Sequence, residues 1–134
     1  MFGERRIQVG GHPSTLTRML HRISDAAPQY AKNRNTACPA WYVRPLDKTC
    51  DEYPFAATGE GAGNPLNANN GRTFDGCQIP ALPVESGNPG GLHLVGWSSC
   101  MIIGTQNSAG GGLLPDFHKK NRLLFGDGYW VTAG

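Results

Sequence analysis

Four widely spaced cysteines constrain the fold of this 134-residue chain more than any other feature. Cys38, Cys50, Cys77 and Cys100 include no C-x-x-C pair, whereas zinc sites usually take their ligands in close pairs. Two disulfides explain this spacing better than a zinc site or four buried free thiols. Of three connectivities, Cys38–Cys50 with Cys77–Cys100 is favoured, because each bridge closes a short segment rich in proline and glycine. Persistent disulfides imply an oxidising compartment, so the sequence predicts a secreted, extracellular protein.

Length and composition indicate one small domain. The 19 glycines and 10 prolines predict a loop-rich fold with short elements. The net charge of +2 is too small to coat nucleic acid non-specifically, so any DNA contact requires a local basic patch. No apolar run approaches the ~18 residues that span a bilayer, which predicts no membrane partner. Residues 1–13 lack the apolar core of a signal peptide, so an export signal would have been removed or would lie on a longer parent chain.

The N-terminal third predicts a helix over residues 14–30. Ser14 or Thr15 can cap it, and Pro28 marks its end. Its apolar residues recur at the i, i+3, i+4, i+7 spacing of one buried helix face; they are Leu16, Met19, Leu20 and Ile23. The basic residues of this third fit a solvated face as well as a DNA-contacting one.

The remaining segments alternate between short strands, loops and one more helix. Extended pieces are predicted at 41–43, 53–57, 92–103 and 129–131, with a mobile Gly/Asn loop at 59–72. A Gly-rich turn at 109–112 precedes a helix over 113–125, and Gly126 is its predicted C-cap. The inward-facing residues predicted for this helix are Leu113, Leu114, Phe117 and Leu124.

Two adjacent carboxylates, Asp51 and Glu52, form the sharpest candidate for chemistry because they directly follow Cys50. A crosslink there would hold the backbone, and a catalytic group needs rigid support. In a strand the two side chains would point to opposite faces, so only a turn would aim both at one site. The alternative interpretation is an Asx-type turn with solvated acids.

Asn107 is the second candidate, in the string QNSAGGG before the predicted C-terminal helix. Asparagine is a good capping residue, and its amide oxygen is also a suitable hard ligand for Mg²⁺ or Mn²⁺. The glycines would let a phosphate approach the helix N-terminus, although such a string usually marks only a turn. The four histidines, His12, His21, His93 and His118, lie in no metal motif, and His21 and His118 are predicted as surface residues. Serine hydrolase chemistry is disfavoured because no G-x-S-x-G elbow is present.

The string CDEYPFAAT followed by a Gly-rich loop resembles the opening motif of the NucA/NucB-type secreted deoxyribonuclease family. The strings QNSAGGGLLPDF and NRLLFGDGYWV resemble that family's second motif and C-terminal end, so the resemblance covers about residues 33–131. It implies a small disulfide-stapled α+β domain with a ββα-metal nuclease-like core and an N-terminal helix. Residues 1–32 would be a helical extension, and residues 33–134 the deoxyribonuclease domain.

The resemblance also implies roles for individual residues. Asp51 matches the general base, and Glu52 would support the site or link to the metal. Asn107 matches the family's metal-binding asparagine, and Asp116 would reach the metal or its waters. The implied cofactor is a divalent ion, Mg²⁺ or Mn²⁺.

The resulting expectation is a metal-dependent, largely sequence-non-specific DNA endonuclease, either a free secreted enzyme or the nuclease domain of a bacterial toxin. We expect a monomer whose partners are DNA and, for a toxin domain, a cognate immunity or inhibitor protein. The alternatives are a secreted nucleic-acid-binding or interaction module without catalysis, and a structural or inhibitory domain. The predicted DNA-contacting residues are Arg44, Lys119, Lys120 and Arg122, together with Arg18, Arg22, Lys32 and Arg34.

Overall fold

The computed structural model describes residues 6–9, 17–67, 69–85 and 96–133. Within these ranges the chain forms an α+β domain with two helices, two three-stranded sheets and two disulfides. The bridges join Cys38 to Cys50 and Cys77 to Cys100, which confirms the predicted pairing. The elements in chain order are β1 (Arg6–Val9), β2 (Thr17–His21), α1 (Pro28–Ala37), β3 (Lys48–Tyr53), β4 (Gly71–Arg72), β5 (Trp97–Ile103), α2 (Gly104–Lys120) and β6 (Gly128–Ala133).

The first sheet has the strand order β1-β6-β2, with β6 parallel to β1 and antiparallel to β2. Leu20 of β2 packs with Tyr129 and Val131 of β6 in a buried cluster, and Leu114 and Phe117 of α2 pack against it. The predicted strand at 129–131 is therefore confirmed as part of β6. This cluster joins strands β2 and β6 to the second helix.

The predicted helix over 14–30 is wrong, because residues 17–21 form β2; residues 14–16 lie outside the described part of the chain. Burial in β2 follows a period of two, since Arg18 and Leu20 are buried while Met19 between them is 36% exposed. The helical spacing of the apolar residues was therefore coincidental. This segment is a strand because it pairs with β6. That partner lies far away in the sequence, so the residues of the segment alone do not reveal the pairing.

The second sheet has the order β3-β5-β4, so β3 is an edge strand of the described sheet. β3 pairs antiparallel with β5 over six residues, from Lys48 opposite Ile103 to Tyr53 opposite Ser98. Helix α2 begins directly after β5 and contacts both strands. At the other helix, Ser99 Oγ donates a 2.6 Å hydrogen bond to the carbonyl of Ala37 at the end of α1.

Helix α2 begins earlier than predicted, and the glycines at 110–112 lie inside it rather than in a turn. It ends at Lys120, so Gly126, whose φ is +90°, belongs to the following turn and does not cap it. Leu114 and Phe117 pack inward as predicted, whereas Leu113 and Leu124 are 61% and 72% exposed. Packing of the inward residues has overridden the low helix propensity of the glycines.

The segment after α1 also differs from the prediction. Residues 41–43 form no strand, since a turn is closed by the hydrogen bond from the Tyr42 amide to the carbonyl of Pro39, and the extended segment is 48–53 rather than 53–57. The segment predicted as a mobile loop at 59–72 forms turns at its described residues up to 70, which pack against α1, and ends in β4 at residues 71–72. Asn33 Nδ2 donates to the carbonyls of Ala56 and Thr58 at 2.8 and 2.9 Å, and its Oδ1 accepts from the Gly63 amide. A Cβ at Gly61 would overlap the Asn33 amide, so close packing requires this glycine.

The predicted boundary between residues 32 and 33 lies inside α1. Upstream of it, β2 is hydrogen-bonded along its length to β6. Among the described residues, neither helix is long and apolar enough to cross a membrane.

Candidate functional site

A groove of about 850 Å³ is lined by residues of α1, β3 and α2. We call its two sides the strand wall and the helix wall. The strand wall comprises Arg34, Cys38, Arg44 and residues 49–52. The helix wall comprises the groove-lining residues of α2 from Asn107 to Lys119 and the turn residues 122–124. Both candidate carboxylates and the candidate metal-binding asparagine thus line one groove.

Asp51 and Glu52 both line the groove although they lie in a strand and not in a turn. Side chains of adjacent strand residues point to opposite faces of a sheet. Because β3 is the edge strand, a groove that runs along the edge is accessible from both faces. Both residues can therefore border the groove with their side chains on opposite faces of β3, as strand geometry predicts.

Glu52 lines the groove as a half-buried side chain. Its Oε2 is buried and has no hydrogen-bond partner among the described residues. Burial raises the pKa of Glu52 to about 7, and the negative charge of Asp51 acts in the same direction, against the opposing effect of Arg34. A buried carboxylate without a partner is costly, so this side chain is suited to hold a proton or to meet a cation.

Asn107 lies in the first turn of α2 and connects the helix to β3. Its Nδ2 donates to Thr49 Oγ1 at 2.8 Å and to the carbonyl of Cys50 at 3.2 Å. The two hydrogens of the amide nitrogen are thereby used, which leaves the amide oxygen as the group available for a ligand. Asn107 is not the cap of α2, because the helix begins at Gly104 and Ile103 precedes it without a side-chain capping bond.

Five basic side chains line the groove beside three acidic ones, counting the described residues. The acids are Asp25, Asp51 and Glu52, and the bases are Arg22, Arg34, Arg44, Lys119 and Arg122. Arg44, Lys119 and Arg122 were predicted as DNA contacts from the sequence. The groove therefore combines a positive surface with a small acidic centre on the strand wall.

Arg44 is held in place by the backbone of the turn that follows α1. Its Nη1 donates to the carbonyls of Pro39, Ala40 and Tyr42 at 2.9, 3.3 and 2.7 Å, and its Nη2 to Cys38 O at 3.2 Å. The guanidinium thus organises residues 38–42 while it lines the groove. Nothing in the sequence signals this second role.

Several predicted site residues lie away from the groove. Asp116 and Lys120 are exposed on α2 but do not line it, although Lys119 beside Lys120 does. Lys32 is exposed elsewhere on α1. Arg18 is buried and donates from Nη1 to the carbonyl of Gly96 at 2.9 Å, so it supports the core.

His118 is a groove residue that the sequence analysis assigned to the surface. It is buried on α2 against the Phe117 and Tyr129 rings, and its Nε2 has no partner among the described residues. Burial lowers its pKa, as does nearby Arg22, whereas Asp25 opposes the shift. The sequence did not indicate that His118 is on the inner face of the helix beside Phe117, because this depends on the register of α2.

His21, also predicted on a helix surface, lies in β2 and its Nδ1 is 2.5 Å from Glu60 Oε1. Glu60 Oε2 accepts the His21 backbone N–H at 2.8 Å, so this carboxylate ties the packed 59–70 segment to the first sheet. His12 and His93 lie outside the described residues.

In the described part of the chain, no three His, Cys, Asp or Glu side chains come together as a metal-binding group. A cation site here would therefore draw on the asparagine oxygen as well as on carboxylates. Comparisons of the chain with protein-family models, with curated proteins and with solved structures gave no match. Functional inference consequently depends on the groove and on the sequence motifs.

Proposed function

We propose that the protein is a metal-dependent endonuclease that hydrolyses the phosphodiester bonds of DNA. The observation that carries this proposal is that Asp51, Glu52 and Asn107 line one groove with five basic side chains. These three residues come from two distant motifs, each of which resembles a motif of the NucA/NucB-type deoxyribonucleases. The groove supplies what hydrolysis of a phosphodiester needs, namely a base, hard ligands for a cation and positive charge for the phosphates.

The topology around the groove supports a ββα-metal type of site. Antiparallel strands β3 and β5 are followed directly by α2, which packs back on them. Asp51 lies on β3 and Asn107 on α2, the positions at which the resemblance expects the base and the metal ligand. The hydrogen bonds from Asn107 to Thr49 and Cys50 fix these two elements relative to each other.

The chemistry of the groove fits a divalent ion such as Mg²⁺ or Mn²⁺. Glu52 Oε2 is buried without a hydrogen-bond partner among the described residues, and a cation would add positive charge there to that of Arg34. The oxygen of Asn107 and the carboxylates of β3 are hard ligands of the kind these ions prefer. When bound, the ion would relieve negative charge on the phosphate and help the leaving oxygen depart. Asp116 has no part in this set because it does not line the groove.

The chain's own groups would divide the remaining work. Asp51 accepts the proton of the attacking water, as the resemblance implies, while Glu52 and Asn107 orient the centre. Arg44, Lys119 and Arg122 bind phosphates on either side of the scissile bond, with Arg22 and Arg34 adding positive charge. Because these contacts address the backbone and not base edges, binding is largely independent of sequence.

Two disulfides and the absence, in the described residues, of a membrane-spanning helix are compatible with an extracellular protein. We propose that the chain acts outside the producing cell as a monomer, either as a free enzyme or as the nuclease domain of a toxin. In the second case, a cognate inhibitor protein would cover the groove.

Incubation of the purified protein with supercoiled plasmid tests the proposal. We expect nicking and then linearisation with Mg²⁺ or Mn²⁺, and none after chelation by EDTA. Asn107→Ala should lower activity and raise the concentration of metal needed for half-maximal rate. Its matched control is Gln106→Ala, since Gln106 is exposed on α2 and does not line the groove.

A different outcome would redirect the interpretation. Retarded but uncut plasmid under every metal condition would contradict catalysis and favour a binding module. Absence of both cutting and binding at low salt would contradict any role with DNA.

A further inference from the structure

Two neighbouring apolar side chains, Leu124 and Phe125, project from the turn between α2 and β6. They are 72% and 64% exposed, whereas the preceding Leu123 is 2% exposed and packs in the core beside Leu20 and Tyr129. Leu123 therefore holds the turn against the core, while the next two residues are exposed to solvent. Folding gains little from such exposure, which suggests a role in binding.

The turn is held by hydrogen bonds on both sides of these residues. The Leu124 amide donates to Asp127 Oδ2 at 2.8 Å, and the Gly126 amide donates to the carbonyl of Arg22 at 2.7 Å. The Arg22 amide in turn donates to the carbonyl of Asp127 at 3.0 Å. The exposed pair is therefore presented on an ordered turn tied to β2 and not on a loosely held loop.

Leu124 lines the basic groove, and Phe125 beside it contacts the groove residue Arg22. Arg122, Leu123 and Leu124 line the groove, and so does Arg22. The Arg22 guanidinium lies 4.9 Å from the centroid of the Phe125 ring, so this ring stacks on a cation that belongs to the groove. Other exposed apolar side chains, such as Trp41, Leu46 and Leu66, do not line it.

We infer that Leu124 and Phe125 form an apolar wedge that contacts a base step of duplex DNA whose phosphates lie in the groove. The inference rests on the proposed function, which supplies the occupant, and deepens it by assigning a contact to the bases. Proteins that bend DNA insert Phe and Leu side chains between base pairs through the minor groove. An ordered turn with an arginine stacked behind the ring, at the edge of a basic groove, fits that use.

The wedge predicts that the protein prefers certain DNA base steps, which phosphate contacts alone would not cause. Opening a base step costs least at flexible pyrimidine–purine steps such as TA and CA. Binding and cutting should therefore be enriched near such steps, although the chain reads no base by hydrogen bonds. The preference would be one of DNA deformability and not of a recognition sequence.

Fluorescence of 2-aminopurine placed at a TA step tests the contact directly, because this base brightens when it is unstacked. The experiment uses duplex DNA and the full chain carrying Asp51→Asn, so that the DNA stays intact. We expect brightening on binding, its loss with Phe125→Ala or Leu124→Ala, and its retention with Phe125→Trp. Phe125→Ala should weaken binding about tenfold without changing its salt dependence, since stacking is lost and phosphate contacts remain.

Leu66→Ala is the matched control, because Leu66 is 80% exposed and does not line the groove. Thermal unfolding verifies that each variant is folded. Equal brightening and an unchanged map of cut sites for wild type and Phe125→Ala would overturn the wedge while leaving the nuclease proposal intact. Brightening without any cleavage by the wild type would support the wedge and contradict the nuclease proposal.

Discussion

The two walls of the groove are built by opposite means. The strand wall is crosslinked by Cys38–Cys50, and its turn after α1 is bound by Arg44. The helix wall is carried by α2, which contains three consecutive glycines and Pro115. A proline lacks the N–H that would continue the helical bonding, and glycine is a poor helix former. The two carboxylates and Arg44 lie on the crosslinked strand wall, whereas Lys119 and Arg122 lie on the helix wall.

This difference suggests a division of labour. A base must be held to within a fraction of an ångström, whereas a wall that follows a DNA backbone benefits from freedom to adjust. Changes to the strand wall should therefore affect the rate of cleavage. Changes to the helix wall should affect DNA affinity or stability.

The largest effect is expected for Asp51→Asn, which keeps the size of the side chain and removes its basic oxygen. Loss of a general base typically lowers the rate about 10²–10⁴-fold. DNA affinity and melting temperature should stay nearly unchanged, as measured by plasmid cleavage, gel retardation and thermal unfolding. If Glu52→Gln abolishes cleavage and Asp51→Asn does not, the base is the neighbouring carboxylate.

Removal of the Cys38–Cys50 bridge, by the double change Cys38→Ala and Cys50→Ala, comes next. The bridge closes a separation of 12 residues, and its loss should cost about 3 kcal/mol in denaturant unfolding. The control is the corresponding double change at Cys77 and Cys100, a bridge that does not line the groove. Both double changes should lower stability, but only the loss of Cys38–Cys50 should slow cleavage per folded molecule. If both changes slow cleavage equally, the strand wall has no special role in catalysis.

The pH dependence of stability tests the buried carboxyl on the same wall. Burial raises the pKa of Glu52 from 4.5 to about 7, so the folded state binds its proton more tightly than the unfolded state. The free energy of unfolding should thus fall as pH rises from 4.5 through 7, by up to about 3 kcal/mol relative to Glu52→Gln. The measurement is denaturant unfolding of both proteins with EDTA; a flat difference between them would contradict the burial of a titrating Glu52.

In α2, the helix that carries the helix wall, Gly110→Ala with Gly112→Ala should stabilise the protein. Among the described residues nothing lies within 4 Å of a Cβ built at either position, and neither residue lines the groove. The double change should raise the free energy of unfolding by about 1–2 kcal/mol. On the packed side of the molecule, Gly61→Ala should do the reverse, because its Cβ would overlap Asn33. Stabilisation by both changes would show that the two glycine-rich segments are equivalent.

The smallest effect is expected for Lys119→Ala. One phosphate contact should be lost, which lowers the salt slope of DNA binding by about one and leaves the cleavage sites unchanged. Lys120→Ala is the neighbouring control, because Lys120 is exposed but does not line the groove. If DNA binding by the two variants has the same salt slope, Lys119 does not contact DNA.

The sequence predicted those features that depend on spacing within a segment or on a motif. The disulfide pairing followed from short closed segments, and β6 from its local pattern. Segment β2 could not be recognised because its strand character depends on β6, more than a hundred residues later. The start of α2 was missed because packing of Leu114 and Phe117 stabilises a helix that the glycines disfavour.

Only part of the candidate site could be predicted, because motifs identify residues but not how distant segments pack together. The motifs pointed to Asp51, Glu52 and Asn107, and all three line the groove. Their convergence depends on β3 being an edge strand, which requires knowledge of the sheet. Asp116 was assigned to the site by the resemblance and Lys120 as a basic residue of the last helix, but both are exposed on α2 and do not line the groove.

Arg44 has a thermodynamic consequence for binding. An arginine or lysine side chain has about 2 kcal/mol of rotamer entropy, part of which is lost when it contacts a phosphate. The bonds from Arg44 to the carbonyls of residues 38, 39, 40 and 42 have already ordered its guanidinium during folding. A phosphate that reaches Arg44 therefore meets a positive charge whose conformational entropy is already lost, whereas a phosphate that reaches the exposed Lys119 must still order that side chain.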